Sequence, residues 1–257
     1  MNDDKIMTTD YLHPMDKVLS AQILGFPVIK QLLDYVHKQK LDDVNYYLYN
    51  SSCIKLPSEH PAVAAFRDGK ERFGVTADDN VFVVRDYNFD VRVFGYSNPV
   101  VLVSSRLLEE NRAFLLKERV AVAAASIAAQ HHKLDFLLFI YNNFKSLINV
   151  PVLSTALKAV INDWARSRQY SLDRAFLAYT NDLALAKKNI FYGYIPFDIL
   201  ENFAFSADET FLRQMEDFNK KENVVDFALI GLSVLQNEIW LPARYDELCK
   251  LDKEGMQ

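Results

Sequence analysis

Glycine, proline, cysteine and histidine are all scarce in this chain, at seven, eight, two and five of 257 residues. So few turn-formers argue against an all-β or linker-rich protein and leave helix as the expected dominant element. Cys53 and Cys249 lie far apart with no metal-ligand spacing, so two separate thiols in a reducing compartment are favoured over a disulfide. No uncharged run approaches the ~20 apolar residues of a membrane span. The start, MNDDKIMTTD, lacks the basic-then-apolar pattern of a secretory signal. A cytoplasmic chain without membrane insertion is the expectation. Long basic runs are missing too, and with a net charge of −5 nucleic acid is not an expected partner.

What is present is 50% hydrophobic and 25% charged, enough to bury a full core. Residues 1–10 read as a disordered tail, and 11–257 as a single domain: a helical and extended part at 11–57, a core at 58–190 and C-terminal helices at 191–257. His13-Pro14-Met15-Asp16 opens a helical pattern with Val18, Ile23 and Leu24 on its apolar face, and a second follows from Val28 to Lys38. Tyr46 to Leu56 reads as extended. Ser58 is expected to cap a helix with Pro61 in its first turn and Phe66 and Phe73 inward. Three short strands follow at 80–85, 90–94 and 99–104. Helices are then expected at about 106–117, 118–143, 151–167 and 169–190, and again at 211–221, 224–236 and 242–251. This order gives an α+β fold, mainly helical, with a small three- to four-stranded sheet.

Two stretches carry a family resemblance. Pro99-Val-Val-Leu-Val-Ser-Ser-Arg-Leu107-Leu108 matches a strand and turn, and Trp164 to Leu177, WARSRQYSLDRAFL, matches a later helical motif. Together with His13-Pro14-x-Asp16, they resemble the soluble gluzincin zinc peptidases of the HtpX and CAAX-prenyl-protease family, across about residues 11–250. That resemblance implies an active-site helix bearing HExxH, where histidines at i and i+4 hold zinc and the glutamate activates the bound water. It also implies a third ligand, a glutamate, on the later helix.

The departures fall on the chemistry. Carrying the family spacing forward from Glu118 puts Ala125, Ser126 and Ala129 over the two histidines and the base, and Gln169 over the third ligand. No HExxH occurs elsewhere, and no two of the five histidines stand at i, i+4. The resemblance therefore implies a pseudo-peptidase without zinc or another cofactor. Its emptied pocket is expected to be packed with Ala125, Ala129, Leu172 and Phe176, since an unfilled truncation costs ~2–5 kcal/mol. Asp173 and Arg174 stand as the family has them, and holding neighbouring helices in register is the favoured reading for both. Arg244 and Leu248 fall where the family carries a C-terminal helix with arginine and leucine, while its His-Pro is replaced by Glu238-Ile239.

The edge strand that takes up substrate in active members corresponds to Asp90, Val91, Arg92, Val93, Phe94 and Gly95. The expected partner is accordingly a protein or peptide, either a second copy or an active relative. The alternative is an enzyme or small-ligand binder reusing the cleft through Ser126, Gln169, Asp173 and Arg174. His131 and His132 beside Asp135 point about 100° apart on a helix and make a poor chelate, so a solvated helix end is expected there. Ser126 has no neighbouring base in its helix and no strained nucleophile turn. The aromatic clusters at 46–49 and 191–194 are expected to fill seams between sheet and helices.

Overall fold

The computed structural model describes residues 5–41, 49–50, 52–85, 90–109, 115–144, 155–192, 212–213, 216 and 241–254. The fold is α+β and mainly helical, around a four-stranded mixed sheet. Strands β1 (Ile54–Lys55), β2 (Val81–Val84), β3 (Val91–Phe94) and β4 (Val100–Ser104) lie in the order β1-β2-β4-β3. β2 and β4 are parallel, with Val81 opposite Val101, while β3 runs antiparallel to β4 with Val93 opposite Val101. The central strand β4 is buried along its whole length, as its unbroken VVLV requires.

Alternation along the strands divides the interior into two cores. Val81, Val93, Val101 and Val103 join one, with helices α4 (Pro61–Arg72) and α5 (Leu116–Ala128). Phe82, Phe94, Val100 and Leu102 join the other, with α2 (Pro14–Gly25), α3 (Pro27–Gln39) and α6 (His131–Phe144). The long helix α7 (Thr155–Thr180) serves both, giving Leu157 and Trp164 to the second core and Ala175 and Phe176 to the first. Helices α8 (Leu183–Tyr192) and α9 (Leu241–Glu254) pack on α7 and on each other.

α4 begins at Pro61, and its cap is His60 rather than Ser58: the His60 Nδ1 accepts the Ala62 N–H at 3.1 Å. Phe66 and Phe73 are buried as the periodicity requires. α4 and α5 approach closely where Gly69 faces the Ala121 backbone. The fully buried Ala121, Ala124 and Ala125 make that approach possible by keeping α5 thin.

Several element boundaries differ from the sequence reading. Residues 5–10 are not a loose tail: Ile6 is buried and its N–H donates to the Arg72 carbonyl at 2.8 Å, and Thr8–Tyr11 form a short helix, α1, that inserts Tyr11 into the core. One helix was expected over 118–143, but it breaks at Gln130, which sits in the left-handed region at φ 60. The expected boundary between 167 and 169 does not exist, because α7 runs unbroken through it. Residues 105–108 form a 3-10 turn rather than the start of a long helix. Among the described residues of the 46–56 segment, Tyr49, Asn50 and Ser52 are helical and only Ile54–Lys55 are strand. The readings at Tyr46–Leu48, 193–194 and 224–236 lie outside the described residues, and of 211–221 only Leu212, Arg213 and Glu216 are described, all helical. No helix among the described residues is long and apolar enough to cross a membrane.

Candidate functional site

β3 lies at one edge of the sheet. The Ser104 N–H donates to the Asp90 carbonyl at 2.8 Å, which makes the 90–104 pair a hydrogen-bonded one. Antiparallel alternation then turns the backbone groups of Arg92 and Phe94 toward β4 and those of Val91 and Val93 outward. The strand ends at Gly95, where φ is +115 and a Cβ would lie 2.8 Å from the Asn98 carbonyl oxygen, so the tight exit from the edge needs glycine.

Beside this edge run two adjoining hollows of ≈ 140 and ≈ 280 Å³ that share Val91, Arg119, Val122 and Leu172. Along α5 the groove is lined by Arg119, Val122, Ala123 and Ser126, a stripe at helical spacing. Gln169, Leu172, Asp173 and Phe176 of α7 line the larger hollow. Ser126 and Gln169 therefore reach the groove, while Ala125 and Ala129 do not line it. Ala125 is fully buried, with its carbonyl accepting the Tyr11 hydroxyl at 2.9 Å, and Ala129 packs partly buried on the same core. Burial first, then the charges of Asp16 and Asp10, pushes the Tyr11 phenol well above its ordinary range, so it stays a donor. The four residues expected to pack together do join one core, Ala125 and Phe176 buried in it and Ala129 and Leu172 packed partly buried against it. Positions 125 and 129 fall outside the groove-facing stripe, and Leu172 and Phe176 border an open hollow.

Charge is concentrated at the larger hollow. Arg119 donates from Nη1 to Asp90 and from Nε to Asn189 Oδ1 at 2.7 Å, and Arg106 reaches the same Asp90 carboxylate at 2.9 Å. Arg244 forms a two-point pair with Asp173 at 2.8 and 2.7 Å. Burial, followed by the positive charge of Arg244, pushes the Arg119 guanidinium down to about 10. In the smaller hollow Arg168 pairs with Asp135.

No protein-family model, curated protein or solved structure matches this chain. Function has to be read from the chemistry of the groove and its surroundings.

The polar residues of the 164–177 stretch are engaged with other helices. Asp173 holds Arg244, and Arg174 holds Glu247, so both tie α7 to α9 rather than pairing with each other. Ser171 Oγ donates to Asp16 Oδ2 at 2.5 Å and accepts the His13 N–H at 3.0 Å, which ties α7 to the start of α2. His131 Nε2 meets the same Asp16 oxygen at 2.7 Å, and because a carboxylate only accepts, Nε2 carries the proton. Asp16, His131 and Ser171 are all fully buried, with the carboxylate in the middle. A serine that gives its proton to aspartate and is closed to solvent is not an activated nucleophile. Among the described residues, no three His, Cys, Asp or Glu side chains group as a metal site.

The solvated helix end expected at His131 and His132 is therefore a correction: both rings are buried, at 0% and 3% exposure. The doublet reads as polar from sequence because its partners, Asp16 and the backbone of Ser126 and Tyr96, lie elsewhere in the chain. Burial, then the Lys133 charge, pushes His132 down to about 4 from 6.5, against the upward pull of those backbone hydrogen bonds. Between these values the unfolded chain takes up a proton that the folded chain refuses. Stability should accordingly fall as pH drops from about 6.5 toward 4, by on the order of 3 kcal/mol. Urea unfolding across this range should show that slope in the wild type and not in His132→Gln; an equal slope in both would refute it.

Sequence reading missed Arg119, Asp16 and His131 as site or network members. Arg119 carried one usable signal, a cation at the head of an otherwise apolar helical run.

Proposed function

We propose that this chain is a non-hydrolytic protein- or peptide-binding module that takes an extended segment along the outer edge of β3. It would do so on a scaffold resembling a gluzincin peptidase that has lost its chemistry. The observation that carries this reading is the pair of outward-facing backbone positions, Val91 and Val93, directly beside a groove with apolar and arginine walls. An added strand would gain main-chain hydrogen bonds there and seat alternate side chains in the groove. The order of helix, strand, edge strand, strand and alanine-rich helix fits the resemblance, and so does the placing of β3 beside α5.

An enzyme reusing the same hollow is less well supported. The polar groups such an enzyme would use are engaged, Asp173 with Arg244 and Arg174 with Glu247.

Val91→Pro tests the proposal directly. Val91 gives no hydrogen bond to β4, and proline is tolerated on edge strands, so the fold should persist while the outward donor is lost. Binding of a panel of fluorescent extended peptides should weaken at least ten-fold in the variant, with the urea midpoint little changed. In the wild type, hydrogen exchange at the Val91 and Val93 amides should slow when peptide is added. Peptide binding that Val91→Pro leaves intact would exclude strand addition, and chelator-sensitive cleavage of casein would exclude a non-hydrolytic module.

A further inference from the structure

We propose that Arg92 selects what pairs with β3: it bars a second copy of this chain and favours a segment of another protein with a carboxylate directly opposite it. This rests on the strand-addition reading above and names the kind of partner. The strand has two faces. Val91 and Val93 stand opposite Val103 and Val101 on the side of the first core, while Arg92 and Phe94 stand opposite Leu102 and Val100 on the side of the second. Phe94 is buried there and Arg92 is exposed. The Tyr49 ring meets Phe94 at 5.6 Å and feels the guanidinium: burial, then Cys53, pushes its phenol up to about 12, and Arg92 pulls the other way.

The length of the edge limits how a second copy could pair with it. Within β3 only Val91 and Val93 turn their backbone groups outward, and the strand ends at Gly95, where φ is +115. An antiparallel copy that engages both residues must therefore set Val91 against Val93 of the second copy, and Val93 against its Val91. The two-fold axis then passes beside Arg92, which meets Arg92 of the second copy in a non-hydrogen-bonded pair. In such a pair the Cα atoms are only ~4.5 Å apart and the side chains are closest. Like charges placed directly opposite each other destabilise the pairing. Registers centred on Val91 or Val93 avoid that meeting but keep only one of the two hydrogen-bonded pairs that the edge offers.

Among the described residues Arg92 enters no ion pair. The aspartates bordering the same groove are held by other arginines, Asp90 by Arg106 and Arg119, Asp135 by Arg168, and Asp173 by Arg244. A strand from another protein escapes the repulsion, and a glutamate or aspartate opposite Arg92 turns it into a cross-strand attraction. Arginine at the centre of the edge thus guards it against self-pairing and leaves it open to an unlike strand.

The test exchanges this charge on the full chain. Wild type and Arg92→Glu should each sediment as monomers, since each sets like charges on the axis. Mixed in equal amounts they should form a heterodimer at least ten-fold tighter than either self-association. Salt at 0.5 M should weaken it several-fold, and adding Val91→Pro to the Arg92→Glu chain should dissolve it. A second measurement uses native protein and a fluorescent, acetylated and amidated eight-residue peptide of alternating valine and threonine. Each residue in turn is replaced by glutamate or by lysine, and binding is read by anisotropy. At one position glutamate should bind at least ten-fold more tightly, against the preference for lysine that a net charge of −5 favours elsewhere. Should Arg92→Glu fail to fold, the peptides decide alone. A wild-type dimer that Val91→Pro dissolves would show that a second copy is not barred and overturn the proposal. Glutamate and lysine peptides of equal affinity at every position, with binding still lost in Val91→Pro, overturn the role of Arg92 and leave strand addition standing. If no peptide binds and no pair of chains associates, strand addition itself fails.

Discussion

Gly69→Ala is expected to destabilise this protein by about 3 kcal/mol or more, although alanine is the better helix former. A Cβ at position 69 would lie 2.2 Å from the Ala121 carbonyl oxygen and 2.7 Å from its Cα. Both are backbone atoms of α5, so no side-chain rotation can relieve the clash and α4 and α5 must separate. That separation opens a core in which Ala121 and Phe66 are fully buried. Overpacking costs ~1–3 kcal/mol where neighbours can adjust, and more where they cannot. The ~1 kcal/mol gained in helix propensity does not offset it. Gly25→Ala is the control: it is helical and exposed, and its Cβ would meet nothing within 4 Å, so that variant should hold or gain stability. Urea unfolding of both variants checks the contrast. A Gly69→Ala protein as stable as wild type would mean that the helices are not in this contact.

The same contact changes the meaning of the alanine-rich helix. From sequence its small residues read as replaced zinc ligands. In the fold they have a direct packing role, Ala121 against Gly69 and Ala125 beneath Tyr11. Small residues at a helix interface say only that something approaches closely, and the sequence alone does not say what. The strands were legible because β-branched runs bounded by turn residues leave few alternatives, whereas the edge position of β3 was expected only from the family resemblance. The break at Gln130 was not legible, because a chain with seven glycines closes some helices with other residues in the left-handed region: Lys40, Gln130 and Asn181 all do so. The groove charges were harder still. Asp90, Arg119, Asp173 and Arg244 are spread over most of the chain and meet only after folding. Asp173 and Arg174 were legible as register-holding residues, but their partners on α9 were not.

Asp16→Ala should cost ~3–5 kcal/mol, the range for removing one partner of a buried ionic or hydrogen-bonded pair. The carboxylate is fully buried where α2, α6 and α7 meet, and it accepts from His131, Ser171 and Ser20. Truncation leaves the His131 ring buried with no partner at Nε2, since Nδ1 already has none. Burial alone would raise the Asp16 pKa, but the hydrogen bond and charge of His131, with the Ser171 and Ser20 hydroxyls, outweigh it and hold the carboxyl below its usual 3.8. A depressed carboxyl stabilises the fold above its unfolded value, and that contribution is lost as pH falls through the folded value. The Asp16 limb of the stability profile should therefore lie below about pH 4, beneath the limb set by His132. Asp16→Asn keeps the shape and removes the titration, so it should flatten the lower limb and leave the upper one in place. The network has little energetic weight if Asp16→Ala loses under about 1 kcal/mol, and the assignment of the lower limb is wrong if Asp16→Asn retains it.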